Sequence, residues 1–378
     1  VGRDADGRAT FVDDALPGEL VTVEVIEAHE RFARARLVSI EEPSPARVEP
    51  VCPFVAAGCG GCDQQHATLE LQREMKERVV QDVLERIGHL DPPKPRTVVL
   101  PAEGFRTTVR AGVVGGRAGF RSRRSHDVVV AGSCLVAHPL VEELLVDGRF
   151  AGCDEVTIRV GLASGERLVI CSPRSTGVVV PDDVVVVGSD ELRRGRRAAI
   201  HEEVSGRSWR ISAGSFFQTR PDGAAALVEV VRGIADQHAG VRGVDRFVDL
   251  YAGVGLFAGT IAAHDVVAVE ASRSSVDDAR HNLDDGVEVI RSSVERWHVR
   301  AADLVVADPS RDGLAREGAA RVVETGAPLV ILVSCDAGSL GRDAGALSRA
   351  GYRLESVTLV DLFPHTHHVE VVSAFVRD

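Results

Sequence analysis

Over the first 46 residues apolar and polar positions alternate in short runs such as FVDD and ELVTVEVIEA, punctuated by Gly7, Pro17 and Gly18. A period of two predicts half-buried strands, and several in close succession predict a small β-barrel fragment. The Pro-rich EEPSPARVEP reads as a linker. The period then changes: Leu69, Leu71, Met75, Val79, Val80, Val83, Leu84 and Ile87 fall at helical spacing, predicting an amphipathic helix over 67–88 that stops near Gly88. DPPKP (91–95) is a second linker. Between 96 and 212 the runs TVVL, DVVVAG, EVTIRV, RLVICS, GVVVP, DVVVVG and WRISA predict a mainly β region, interrupted by one helix near 138–147. From residue 221 onward the strand-like runs RFVDLY, DVVAVE, VEVIR, DLVVAD, PLVILVS, LESVTLV and VEVVSAFV appear, the earlier ones separated by helical stretches. That pattern predicts a doubly wound α/β sheet with parallel strands, and the close final pair predicts one antiparallel edge strand.

Composition narrows the function classes. The chain has 378 residues, 44% apolar and 26% charged, which is ordinary for a globular protein of two or three domains. A net charge of −12 argues against indiscriminate nucleic-acid binding but leaves room for a local basic track. Arg106, Arg110, Arg117, Arg121, Arg123 and Arg124 form such a track within 105–126, and Arg193, Arg194, Arg196 and Arg197 form a second cluster. No apolar run approaches the roughly 20 residues of a membrane span. The start lacks the basic-then-apolar pattern of a signal peptide and opens inside a strand pattern, so the natural start is expected upstream. Of the seven cysteines three are tightly clustered, and with no secretion signal this points to a reducing, cytoplasmic setting and to metal or catalytic chemistry.

Candidate chemistry follows the strand ends. RFVDLYAGVGLFAGTIA (246–262) reads as a buried strand, a glycine-rich turn at Gly253 and Gly255, and then a helix, an arrangement that brings backbone close to a nucleotide-type ligand. Glu270 ends the next strand, where a carboxylate can accept from two ribose hydroxyls. Asp308, in VVADPSRDG, ends the fourth strand and faces the same crevice. Cys335 stands at the carboxyl end of the fifth, before a helix expected to start after Gly338 and to lower its pKa. Glu370 is an acid in an otherwise apolar final strand, costly to bury unless used. His365, His367 and His368 lie nearby without cysteine or carboxylate at ligand spacing, so a metal is not expected there. CPFVAAGCGGC places Cys52, Cys59 and Cys62 at C-x6-C-x2-C spacing, with Cys134 far downstream. Four thiolates fit a zinc ion or an iron–sulfur cluster, and the spacing alone leaves the metal open.

In combination these motifs resemble the RNA 5-methyluridine methyltransferase family over nearly the whole chain. FVDLYAGVGLFA, VVADPSRDG, LVSCDAGSLGRD and DLFPHTHHVEVV occur in the family's order, and CPFVAAGCGGCDQQH resembles the cysteine loop of its ribosomal-RNA branch. The resemblance implies a TRAM-like barrel over 1–46 and a central β-rich domain over 47–69 and 93–205. It implies a Rossmann-like class I methyltransferase domain over 70–92 and 206–378. It further implies a [4Fe–4S] cluster on Cys52, Cys59, Cys62 and Cys134, and S-adenosylmethionine held by Gln218, Tyr251, Glu270 and Asp308 with Leu256 and Ser293. Cys335 is implied as nucleophile and Glu370 as base, in a monomer acting on structured 23S ribosomal RNA, with transfer RNA as the alternative substrate. Three positions depart from the pattern: Cys335-Asp336-Ala337 stands for the usual C-N-P, Leu256 for a frequent Asn, and His367 for the usual Gly.

Carbon 5 of uracil becomes nucleophilic once a thiolate adds at carbon 6. Two other readings compete: a methyltransferase without a covalent step acting on another substrate, and a non-catalytic RNA-binding protein whose metal serves folding.

Overall fold

The computed structural model describes residues 1–4, 7–240 and 243–377. At the N-terminus four strands, Gly2–Arg3, Ala9–Val12, Leu20–Ala28 and Phe32–Glu42, form one sheet in which the last lies between the second and third. Its inward face is thin: Ala33 and Ala35 are buried, while Val25, Ile26 and Val38 remain exposed. Ion pairs tie this sheet to its surroundings. Glu19 takes Arg47 at 2.5 and 2.8 Å, and that guanidinium holds the Glu19 carboxyl down at about 2. Arg123 pairs with Asp14 at 2.5 Å and Arg124 with Asp13 at 2.8 Å. Arg110 is likewise bonded to Glu155, so three arginines of the track have partners within the chain while Arg110 and Arg124 stay largely exposed.

A six-stranded sheet follows, ordered Val184–Gly188, Arg167–Ser172, Glu155–Val160, Thr108–Val114, Arg117–Arg121, Val128–Val130. Helix Pro139–Asp147 closes one face with Val141, Leu144 and Leu145, packing against Val156, Ile158 and Val169. Cys153 and Cys171 are buried in this core as small apolar side chains.

The sheet that positions the site has eight strands: β1 (Arg96–Val98), β2 (Arg246–Leu250), β3 (Asp265–Glu270), β4 (Val287–Arg291), β5 (Leu304–Ala307), β6 (Leu329–Ser334), β7 (Arg353–Val360) and β8 (Val371–Val376). Their order is β4-β3-β2-β5-β6-β8-β7-β1. Alternate residues feed two cores, as a pleated strand requires. Phe247, Val306, Ile331 and Val372 meet helix Pro221–Ala239 on one face. Val248, Val305, Val330 and Phe375 meet helix Ala337–Arg349 and helix Leu69–Arg86 on the other. Those two helices touch backbone to backbone, since a Cβ on Gly341 would stand 2.7 Å from the Val83 carbonyl oxygen.

Two expectations are corrected. The antiparallel strand β8 is not at an edge: it pairs with β6 and β7, and residues 371–375 are all buried. A continuous apolar run such as VVSAFV is the mark of a strand covered on both faces, and that outweighs its late place in the chain. The stretch after β2 also forms turns, not a helix. Gly253 and Gly255 take φ of +56° and +96°, outside the helical region, and only isolated helical bonds such as Gly259 N–H to Gly255 O at 2.8 Å follow.

Candidate active site at the carboxyl edge of the sheet

The glycine turn is held from three sides. The Gly253 N–H donates to Glu270 Oε2 at 2.9 Å, and the Ala258 N–H donates to Asp249 Oδ2 at 2.9 Å. Asn282 Nδ2 donates to the Val254 carbonyl at 3.1 Å. A Cβ on Gly253 would meet nothing within 4 Å, so this turn borders open space. Gly255 is different: a Cβ there would press on Leu283 at 2.9 Å. Tyr251, also at positive φ (+61°), turns its ring inward; a Cβ on Gly318 would stand 2.7 Å from its hydroxyl. The Tyr251 hydroxyl is buried with no hydrogen-bond partner among the described residues. Leu256 is buried in the core.

Glu270 ends β3 and its second oxygen accepts from the Ser272 N–H at 2.6 Å. Ser293 follows β4 and is half-buried; the neighbouring Ser292 N–H donates to the Glu270 carbonyl at 3.0 Å. Gln218 is buried in the stretch before helix Pro221–Ala239, beside a cavity of about 10 Å³ shared with Thr107, Arg159 and Glu202. That stretch is joined to the Glu270 side by Ser215 Oγ, 2.6 Å from Asp278 Oδ2 on the helix Arg273–Asn282.

Strand register brings the reacting candidates together. Ser334 on β6 is paired with Val371 on β8, so Cys335 and Glu370, each one residue beyond the pair, emerge side by side. Asp308 follows Ala307, which pairs with Leu332 on the same β6. Burial and the charge of Asp308 push the Glu370 carboxyl well above the usual range, and Glu370 is 2% exposed. Burial raises Asp308 to about 7. Burial, with Glu370 and Asp308 as negative neighbours, pushes the Cys335 thiol up to about 11, against the opposing charge of Arg311. This reverses the expectation of a lowered thiol: helix Ala337–Arg349 does begin beside it, capped by Asp336 accepting from the Ser339 N–H at 2.8 Å, but desolvation and two carboxyls outweigh the helix end.

Asp249, not singled out in the sequence, belongs to the same group. It is fully buried on β2, raised well above the usual range by burial, and Asp308 and Glu270 lie near enough to add to the shift. One of its oxygens has no hydrogen-bond partner in the described residues. Its signal in the sequence was an acid inside the apolar run RFVDLY. Four acids thus gather where the parallel strands end, an environment suited to a cationic ligand.

At a second place Cys52, Cys59, Cys62 and Cys134 line one cavity of about 190 Å³, with Phe54, Phe120 and Arg106. Burial raises the thiols of Cys59, Cys62 and Cys134, that of Cys62 to about 11. Among the described residues no group of three or more His, Cys, Asp or Glu side chains is drawn together tightly enough to hold a metal ion, the three histidines of 365–368 included. The donor set and the cavity shared by all four thiols suit a ligand larger than one ion.

Comparisons with known proteins agree with this architecture. The TRAM domain model matches residues 1–38. The chain is 36% identical to an uncharacterized RNA methyltransferase of Streptomyces avermitilis, over 99% of this chain and 94% of that protein. It is 31% identical to the 23S rRNA (uracil(1939)-C(5))-methyltransferase of Chromohalobacter salexigens, over 100% of this chain and 86% of that one. In fold it is similar to the Pyrococcus abyssi tRNA (uracil-54, C5)-methyltransferase solved with S-adenosyl-L-homocysteine, with a TM-score of 0.73, 22% identity and coverage of 97% and 95%. No helix among the described residues is long and apolar enough to cross a membrane. A class I methyltransferase sheet, an N-terminal TRAM domain and full-length relatives above 30% identity make this chain a member of the TRAM-domain RNA uracil-C5 methyltransferase family.

Proposed function

We propose that this protein transfers a methyl group from S-adenosylmethionine to carbon 5 of a uridine in 23S ribosomal RNA through a covalent Cys335 adduct. The observation that carries the reading is the emergence of Cys335 and Glu370 side by side from paired strands, with Asp308 next to both. The donor fits the carboxyl edge, where the Gly253 turn leaves open space and acids face a cationic ligand. Glu270, Asp308, Gln218, Ser293, Gly253, Gly255 and the backbone of Tyr251 are the residues assigned to hold it. When bound it supplies the methyl group and a sulfonium charge that favours thiolate and carboxylate over thiol and acid.

Cys335 Sγ bonds to carbon 6, and the electron pair of the 5,6 double bond moves into the ring carbonyl as an enolate. With the donor bound, that electron pair would form the bond from carbon 5 to the methyl group, and the methyl–sulfur bond would break with its electrons left on sulfur as a neutral thioether. Glu370 removes the proton left on carbon 5, the double bond reforms, and the carbon–sulfur bond breaks to return the thiolate. A carboxyl whose pKa is raised by burial is a stronger base than a solvated one, which suits a carbon acid. The uridine reaches Cys335 only unstacked, which is cheap in an RNA loop.

Cys52, Cys59, Cys62 and Cys134 are assigned to a [4Fe–4S] cluster, supported by their common cavity and four-thiol donor set. Its chemistry when bound is structural clamping of the loop that supplies three of the four thiols. The test is a 23S rRNA transcript containing 5-fluorouridine incubated with protein and donor. A protein–RNA adduct through Cys335, located by mass spectrometry, is expected; methyl transfer to natural transcript without any such adduct would overturn the covalent route, and transfer to tRNA alone would overturn the substrate assignment.

A further inference from the structure

The segment 361–369 between β7 and β8 delivers Glu370 to the site, and it is fastened from outside by the cysteine loop and the helix that follows it. Lys76 Nζ lies 2.7 Å from Asp361 Oδ1 and 2.8 Å from the Phe363 carbonyl. Gln72 Oε1 accepts from the His365 N–H at 2.7 Å, while its amide donates to the Gln64 and Ala67 carbonyls at 3.0 and 2.8 Å. The Gln64 N–H donates to the His365 carbonyl at 2.9 Å. The last link is Asp63: Oδ1 accepts from the His367 N–H at 3.1 Å and Oδ2 bonds His367 Nδ1. Asp63 directly follows Cys62, whose thiol lines the four-cysteine cavity. His367 is three residues from Glu370.

We propose that Asp63 is a positioning residue for Glu370, holding the 365–368 turn through His367 so that the carboxyl is aimed at carbon 5, and thereby joining the cysteine loop to the proton-removal step. The inference rests on the covalent reading above. Forming the thioether and moving the methyl group do not require Glu370, whereas releasing the product does. Loosening the turn therefore slows release and leaves adduct formation alone. A role of Asp63 confined to keeping the cysteine loop folded would lower both together.

The experiment uses the full chain, reconstituted with iron and sulfide, and 23S rRNA transcripts in natural and 5-fluorouridine forms. With Asp63→Ala, turnover on the natural transcript is expected to fall about tenfold or more at unchanged KM for the donor, with covalent protein–RNA complex accumulating on denaturing gels. The rate of adduct formation on the 5-fluorouridine transcript, the iron content and the Tm are expected to match the parent protein. Asp63→Asn keeps an oxygen acceptor and is expected to retain most of the turnover. Should Asp63→Ala prove poorly folded, His367→Ala removes the side-chain bond while keeping the backbone one, and must lower turnover and raise covalent complex in the same sense by a smaller factor. Equal loss in both assays, or unchanged turnover, overturns the proposal. A parent protein that forms no adduct at all overturns the covalent reading instead, and the two failures are distinct.

Discussion

Cys335 and Cys62 are both thiols that burial pushes up to about 11, and each has one arginine nearby, yet the groups that raise them further differ. Cys335 faces Glu370 and Asp308, two carboxyls that add to the upward push of burial against Arg311. Cys62 faces Arg106 and other thiols, and Arg106 works against the burial. On the proposed reading, a cationic donor bound at the first place would favour the thiolate, tying the nucleophile to its co-substrate. In the second place the neighbours that raise the thiol are other thiols, Cys134 and Cys59, while Gln65 and Arg106 lower it. On the proposed reading, charged neighbours distinguish a nucleophile at the half-buried Cys335 from a ligand at the buried Cys62.

The difference can be broken by mutation, and the largest effect is expected at the carboxyl edge. Cys335→Ala should lower methyl transfer by on the order of 10⁴-fold or more while donor binding, read by calorimetry, stays at the parent level. Transfer that survives this change would remove the nucleophile from the account. Glu370→Gln should cost roughly 10²–10⁴-fold in turnover, with covalent RNA complex accumulating on denaturing gels. At the other place, Cys62→Ser should empty the cavity of iron and lower the Tm by several degrees, since each kcal/mol is worth roughly 2–4 °C in a domain of about 150–250 residues. Donor affinity should not change; an equal loss there would show that the two regions are not separate.

A smaller effect concerns pH. The Asp308 carboxyl is raised to about 7 and the Asp343 carboxyl to about 6, in both cases chiefly by burial, above an unfolded value of about 3.9. Their folded-state proton affinity exceeds that of the unfolded chain, so their contribution to stability is full below about pH 4 and is lost as pH rises through about 6 to 7. The Tm of the parent should therefore fall relative to Asp308→Asn over that window. Only the donor carries the sulfonium charge, so its affinity relative to S-adenosyl-L-homocysteine should rise as the acids ionise, measurable by calorimetry between about pH 6 and pH 8. The smallest effect is at Asp336: Asn caps a helix as well as Asp, so Asp336→Asn should shift stability by a few tenths of a kcal/mol against about 1 kcal/mol for Asp336→Ala.

The order of elements was legible because period and turn residues are local properties. Leu69–Arg86, Pro139–Asp147, Glu155–Val160 and Arg167–Ser172 lie where the pattern placed them. The internal place of β8 was not, since pairing partners are chosen by burial on both faces and not by proximity in the chain. Asp249 and Asp63 were also passed over. Each is a single acid whose meaning depends on which backbone N–H meets it, Ala258 in one case and His367 in the other, and neither partner is adjacent in sequence.

By itself the sequence determined the motifs, their order and hence the family, because glycine turns, strand-end acids and cysteine spacings are written in consecutive residues. Only the tertiary structure decided which charged groups surround Cys335 and how the cysteine loop reaches Glu370's turn. Both depend on desolvation and on charges and hydrogen bonds brought together from residues more than 25 positions apart, such as Asp308 and Cys335, or Asp63 and His367 at a separation of 304.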